Sequence, residues 1–112
     1  MRTADEMHLL EAGEAIASAL RGRTFGSITL DRVDVDARED AFGGPAVFIV
    51  AWSSSPQEMR TGRRGDRRLR WDSKDRRRVD VAFSDALAQV EGDVRAYFSL
   101  MHVDADGALA AF

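Results

Sequence analysis

The chain has no cysteine, which excludes disulfides, thiolate metal sites and a thiol nucleophile. Its two histidines, His8 and His102, stand in unrelated contexts, so acid–base catalysis lacks a paired donor and acceptor. No apolar run approaches the ~20 residues of a membrane span, which speaks against a membrane partner. The first turns carry Asp5, Glu6, Glu11 and Glu14 where a signal peptide would be basic and then apolar. With cysteine absent, these features point to a cytoplasmic protein. Only two prolines, Pro45 and Pro56, interrupt the chain, and no Pro-rich or Ser-rich linker divides it. Residues 1–112 therefore read as one domain, long enough to bury a core without covalent staples.

What is present in excess is arginine, and it is concentrated. Residues 1–59 hold 5 basic and 10 acidic side chains, and residues 79–112 hold 1 and 6. Residues 60–78 hold 10 basic and 3 acidic. An acidic domain thus carries a basic island of Arg60, Arg63, Arg64, Arg67, Arg68, Arg70, Lys74, Arg76, Arg77 and Arg78, with Trp71 among them.

The chain is organised around the seven consecutive apolar residues Ala46 to Trp52, opened by Gly43-Gly44-Pro45 and closed by Ser53-Ser54-Ser55-Pro56. Such a run predicts a central strand covered on both faces. Ahead of it, Thr3 and Glu6 form a capping-box pattern, and Leu9, Ala12, Gly13, Ile16 and Leu20 share one helical face. This predicts a helix over 4–21, with Gly22 just past its end. Ile28 and Leu30 alternate in one phase, Val33 and Val35 in the other, so a bulge near Asp31-Arg32 is expected to bring all four inward. Residues 37–45 then lead into the central strand as an antiparallel hairpin.

After Trp52 periodicity is lost, and residues 53–75 read as a long loop. Val79, Ala82, Phe83, Ala86, Leu87 and Val90 predict a second helix, capped by Asp72 with Asp75 in its first turn. A strand through Val79, Val81 and Phe83 is the competing reading. Val94, Ala96, Phe98 and Leu100 alternate as a last strand, followed by a turn at Asp104–Gly107 and a short tail with Leu109 and Phe112. The expected fold is α+β in the order α-β-β-loop-α-β. It has a three-stranded, mainly antiparallel sheet and two helices on one face.

Within the island stands Gly62-Arg63-Arg64-Gly65. With the order of elements, this resembles the type II KH fold, whose G-x-x-G loop between two helices clamps single-stranded nucleic acid. The resemblance implies that Arg63 and Arg64 face phosphates. It is confined to topology and four residues, because Pro56 to Thr61 offers only Met59 as an apolar anchor. Gly26-Ser27 followed by Asp34 and Asp36 is similar to the nucleotidyltransferase pattern. The six residues 28–33 cannot hold the helix such enzymes place there, and the aspartates mark the solvent face of an edge strand instead. His102, Asp104 and Asp106 at alternate positions, with Asp34 or Asp36 alongside, make a candidate ion site. A turn rich in Asp and Gly accounts for the same residues without a metal.

No catalytic constellation, cofactor motif or metal motif emerges. The expected function is a non-catalytic binding protein that recognises a macromolecule through charged surfaces. One half of a bacterial two-gene module would fit, the partner being another protein or a second copy in a homodimer. The alternative is single-stranded RNA bound by Arg60, Arg63, Arg64, Arg67, Arg68, Arg70, Trp71, Arg76 and Arg77. Arginines projecting together with Trp71 would favour nucleic acid, and arginines paired with the domain's own carboxylates would favour protein association.

Overall fold

The computed structural model describes residues 4–61, 64–65, 67–90 and 92–103, and of Ala4, Asp5, Arg60 and Arg68 the backbone alone. Thr3, the expected turn at Asp104–Gly107 and the tail with Leu109 and Phe112 lie outside these residues.

The first helix, α1 (Ala4–Leu20), forms where its apolar spacing predicts. Leu9, Ala12, Ile16, Ala17 and Leu20 are buried, and Gly22 leaves the helix at a φ of 78° that suits only glycine well. Gly13 has a different reason: a Cβ there would run into the methyl groups of Val35 and Val47, so its smallness lets α1 lie close on the sheet.

Next come two tiny strands, β1 (Thr24–Phe25) and β2 (Ile28–Thr29), turned at Gly26 with φ 62°. They replace the expected bulge. The ladder of β3 (Arg32–Glu39) against β4 (Pro45–Ser53) runs unbroken from Arg32 opposite Trp52 to Glu39 opposite Pro45. The phase slip arises because Ile28 and Leu30 belong to this separate hairpin, where the Gly22 and Arg23 backbone pairs with Leu30, and not to β3.

The β3–β4 connection is the expected antiparallel hairpin, held by one side chain. Asp40 Oδ1 accepts from the Phe42 and Gly44 amides at 2.9 and 3.1 Å, and Oδ2 accepts from Arg95 and the Tyr97 hydroxyl at 2.7 and 2.9 Å. The Arg95 guanidinium above all, joined by Tyr97 and the two amides and opposed by burial, holds Asp40 well below the usual carboxylate range.

The sheet departs from expectation at its third strand. β7 (Ala96–His102) pairs with β4 in parallel, Ile49 opposite Phe98, so the sheet β3-β4-β7 is mixed and not mainly antiparallel. The chain reaches β7 through the second helix, α2 (Ser73–Ala88), and a helical crossover between neighbouring strands brings them parallel. Asp72 caps α2 as predicted, its Oδ1 accepting from the Lys74 and Asp75 amides at 3.0 and 3.1 Å. The competing strand is absent: Val79 is wholly buried and Phe83 stacks on Phe98 at 5.0 Å, both from one helix.

Both helices lie on one face of the sheet, against Val47, Ile49, Ala51 and Leu100. The other face is where the double cover fails. Phe48, Val50 and Trp52 point away from the helices and are half-buried, and no described element lies over them. They shelter one another and their neighbours instead. Phe48 stacks with Tyr97 at 5.0 Å, Arg38 lies 4.1 Å over the Phe48 ring, and Trp52 donates its indole N–H to Asp34 at 2.9 Å.

Candidate functional site

The stretch expected to be a loop between β4 and α2 carries a third hairpin. β5 (Glu58–Thr61) and β6 (Arg67–Arg70) pair antiparallel, with Glu58 opposite Arg70, Met59 opposite Leu69, Arg60 opposite Arg68 and Thr61 opposite Arg67. Its extensive contacts are between its own two strands. Met59 and Leu69, cross-strand partners, remain 56% and 46% exposed, so the ribbon stands out from the body without packing an apolar face on it.

This arrangement overturns the KH-like geometry. The residues before and after Gly62-Arg63-Arg64-Gly65 are strands, whereas a G-x-x-G clamp needs a helix on each side. Gly62 and Arg63 themselves lie outside the described residues, and Gly65 turns with a φ of 78°.

The charges divide into two sets. Arg76 pairs with Asp80 at 3.1 Å, one turn on along α2, and Arg78 with Asp75 at 3.2 Å, so two of the island's cations are spent within the helix. Those pairs also explain how three arginines are tolerated at the positive end of a helix dipole. Arg64, Arg67, Arg70, Lys74 and Arg77 have no carboxylate partner among the described residues. The backbone of Arg60 and Arg68 sits on the ribbon beside them.

Trp71 does not project with the arginines. It sits at the foot of the ribbon, half-buried against the core, 5.5 Å from the His102 ring. There it lines an open groove of about 510 Å³ together with Gln57, Leu69, Arg70, Ser73, Arg76, Arg77 and Asp80, the last paired with Arg76. The groove therefore brings an indole and an aliphatic side chain together with the guanidinium groups of Arg70 and Arg77.

Among the described residues the candidate ion site is not assembled. Asp34 and Asp36 lie on the outer sheet face, where Asp34 is engaged by Trp52 and by Arg32 at 3.0 Å. His102 lies on the helix-facing side opposite Ser53, its Nδ1 buried without a hydrogen-bond partner. Asp104 and Asp106 lie outside the described residues, and no group of three potential metal ligands occurs among those described. Ser27 does not serve Asp34 or Asp36 either, since its hydroxyl and amide both bind Asp75 Oδ2, at 2.7 and 2.9 Å.

That last contact was invisible in the sequence and matters for the surface. The Ser27 hydroxyl, then its amide, and the Arg78 charge pull Asp75 below its ordinary value against the opposing effect of burial. Any side chain at Gly26 would collide with the Asp75 carboxylate, so glycine here serves both the turn and the tether. The tether fixes the β1–β2 hairpin beside the first turns of α2, next to the basic island.

No helix among the described residues is long and apolar enough to cross a membrane. No family model, no curated protein and no solved structure matches the chain.

Proposed function

We propose that the chain is a non-catalytic binding protein that recognises a macromolecular partner through its charged surfaces. Its ribbon is the gripping element and single-stranded nucleic acid the partner. The observation that carries this reading is the set of five cations with no carboxylate partner among the described residues, Arg64, Arg67, Arg70, Lys74 and Arg77, on the hairpin and the helix after it. A hairpin of two four-residue strands is marginal in water on its own, and six arginines between residues 60 and 70 repel one another. A polyanion would relieve that repulsion, and arginine meets phosphate through two parallel N–H donors. Trp71 and Leu69 beside Arg70 and Arg77 offer unpaired bases an apolar surface next to phosphate contacts.

A protein partner has its own support in the outer sheet face. There Phe48, Val50, Trp52 and Tyr97 lie uncovered between the charged rows of β3 and the edge of β7. The two readings separate in one titration. Labelled single-stranded RNA of about 12 nucleotides, within the reach of small single-strand binders, is followed by fluorescence anisotropy in about 50 mM NaCl. The variant Arg64→Ser/Arg67→Ser/Arg70→Ser is expected to bind roughly tenfold or more weakly. Binding by neither removes nucleic acid and leaves the protein-partner reading, and equal binding by parent and variant removes the ribbon as the gripping element.

A further inference from the structure

The basic surface does not stop at the foot of the ribbon. Arg77, on α2, lines the Trp71 groove on one side and a second groove of about 540 Å³ on the other. The second groove is formed by Lys74, Arg78 and Val81 of α2 against Arg23 and Phe25 of the β1–β2 hairpin, the arrangement that the Ser27–Asp75 tether fixes. We propose that single-stranded nucleic acid held by the ribbon continues across α2 into this second groove, where Arg23 and Lys74 are binding residues. This rests on the nucleic-acid reading of the ribbon.

Three features carry the extension. The two grooves share Arg77, a cation without a carboxylate partner, so a phosphate at the ridge between them is met from either side. Each groove combines cations with apolar side chains and one carboxylate, Arg70 with Leu69, Trp71 and Asp80 in the first, Lys74 with Val81, Phe25 and Asp85 in the second. The Arg23 guanidinium is exposed and sits over Phe25, its Cζ 4.8 Å from the ring centroid, with Nη1 donating to the Ala19 carbonyl at 3.2 Å. A guanidinium held in this way offers a plane on which a base can stack. Asp85 lines the second groove beyond Val81, and its charge turns phosphate away there. A run of Asp and Glu would use the cations but brings no rings to the apolar walls, whereas every unpaired nucleotide carries both a phosphate and a base, which makes nucleotides the better occupant.

The test uses the whole chain, the same RNA and anisotropy, with Arg23→Gln, Arg23→Glu and Lys74→Gln beside the ribbon variant. Arg23→Gln and Lys74→Gln should each weaken binding about 3- to 5-fold and flatten the log–log salt slope by about 0.7, and Arg23→Glu should weaken it tenfold or more. Arg23→Gln removes the charge of an exposed side chain without reversing it, so it reports on the second groove even if Arg23→Glu melts early. If the ribbon variant and Lys74→Gln lose affinity while both Arg23 variants, melting like the parent, keep theirs, the track ends short of the second groove and this inference fails alone. Loss in none of the four overturns the ribbon reading as well. Displacement of RNA by polyglutamate at equal charge concentration would show that the grooves take carboxylates and overturn the assignment to nucleotides.

Discussion

The dependence of binding on salt can be worked out from the ribbon and α2. If Arg64, Arg67, Arg70, Lys74 and Arg77 each neutralise one phosphate, counterion release gives a slope of log affinity against log salt near −0.7 per contact, about −3.5 from these five and about 0.7 steeper if Arg23 adds a sixth. Between about 50 and 200 mM NaCl that slope costs roughly a hundredfold in affinity. Arg76 and Arg78 are left out because Asp80 and Asp75 already neutralise them. The rest of the surface is acidic, so repulsion keeps the intrinsic affinity low, and binding should be non-specific and largely gone at physiological salt. The assay is anisotropy across a salt series, with parent and ribbon variant side by side. Removing three of the five contacts should flatten the slope by about 2. A parent slope shallower than about −1, or a slope the ribbon variant leaves untouched, refutes the reasoning.

Three further outcomes concern the fold. Ile49→Asp puts a carboxylate at a wholly buried site of the central strand, facing the helices. A cost of several kcal/mol, against the ~5–15 kcal/mol of a typical domain, should leave it unfolded by circular dichroism, and a cooperative melt would contradict that. Amide hydrogens of β5 and β6 should exchange faster than those of β4, because no other layer covers their ladder, and added RNA should slow them. Asp40→Asn should lower the melting temperature at neutral pH. Asp40 sits well below its ordinary value of 3.8 in the folded chain, so its stabilisation is complete above 3.8 and is lost progressively as pH falls from there toward the lower folded-state value. The parent's melting temperature should therefore drop more steeply below pH ~4 than the variant's, and parallel profiles would count against the clamp.

Where one residue pattern had one physical solution, the sequence was legible. The spacing of Leu9, Ile16 and Leu20 fits only a helix with one buried face, and Asp72 ahead of Val79 caps α2 because a short side-chain oxygen there reaches two free amides. Elsewhere one pattern had two solutions. Seven apolar residues in a row suit a strand covered twice, but also a strand whose outer residues shelter among aromatic and arginine neighbours, as Phe48 does between Tyr97 and Arg38. The shift of phase near Asp31 suits a bulge and equally a change of hairpin. The direction of β7 leaves no trace in its own residues, although a helix standing between two neighbouring strands was a signal for parallel pairing.

The candidate site divides in the same way. Charge density needs no structure to be seen, so the arginines stood out at once. Arg23 did not, because its place in the surface depends on Ser27 reaching Asp75 across 48 positions of sequence. The ribbon leaves little trace in the sequence because its strands lack the β-branched and aromatic residues that favour a sheet, and Met59 and Leu69 bury no common face. A hairpin that satisfies neither propensity nor burial is stabilised mainly by its own backbone ladder, while its charges oppose it. Serine or threonine at Arg64, Arg67 and Arg70 would relieve the repulsion and keep the ladder. The arginines therefore work against the stability of the free chain, and they become favourable once a polyanion lies along them.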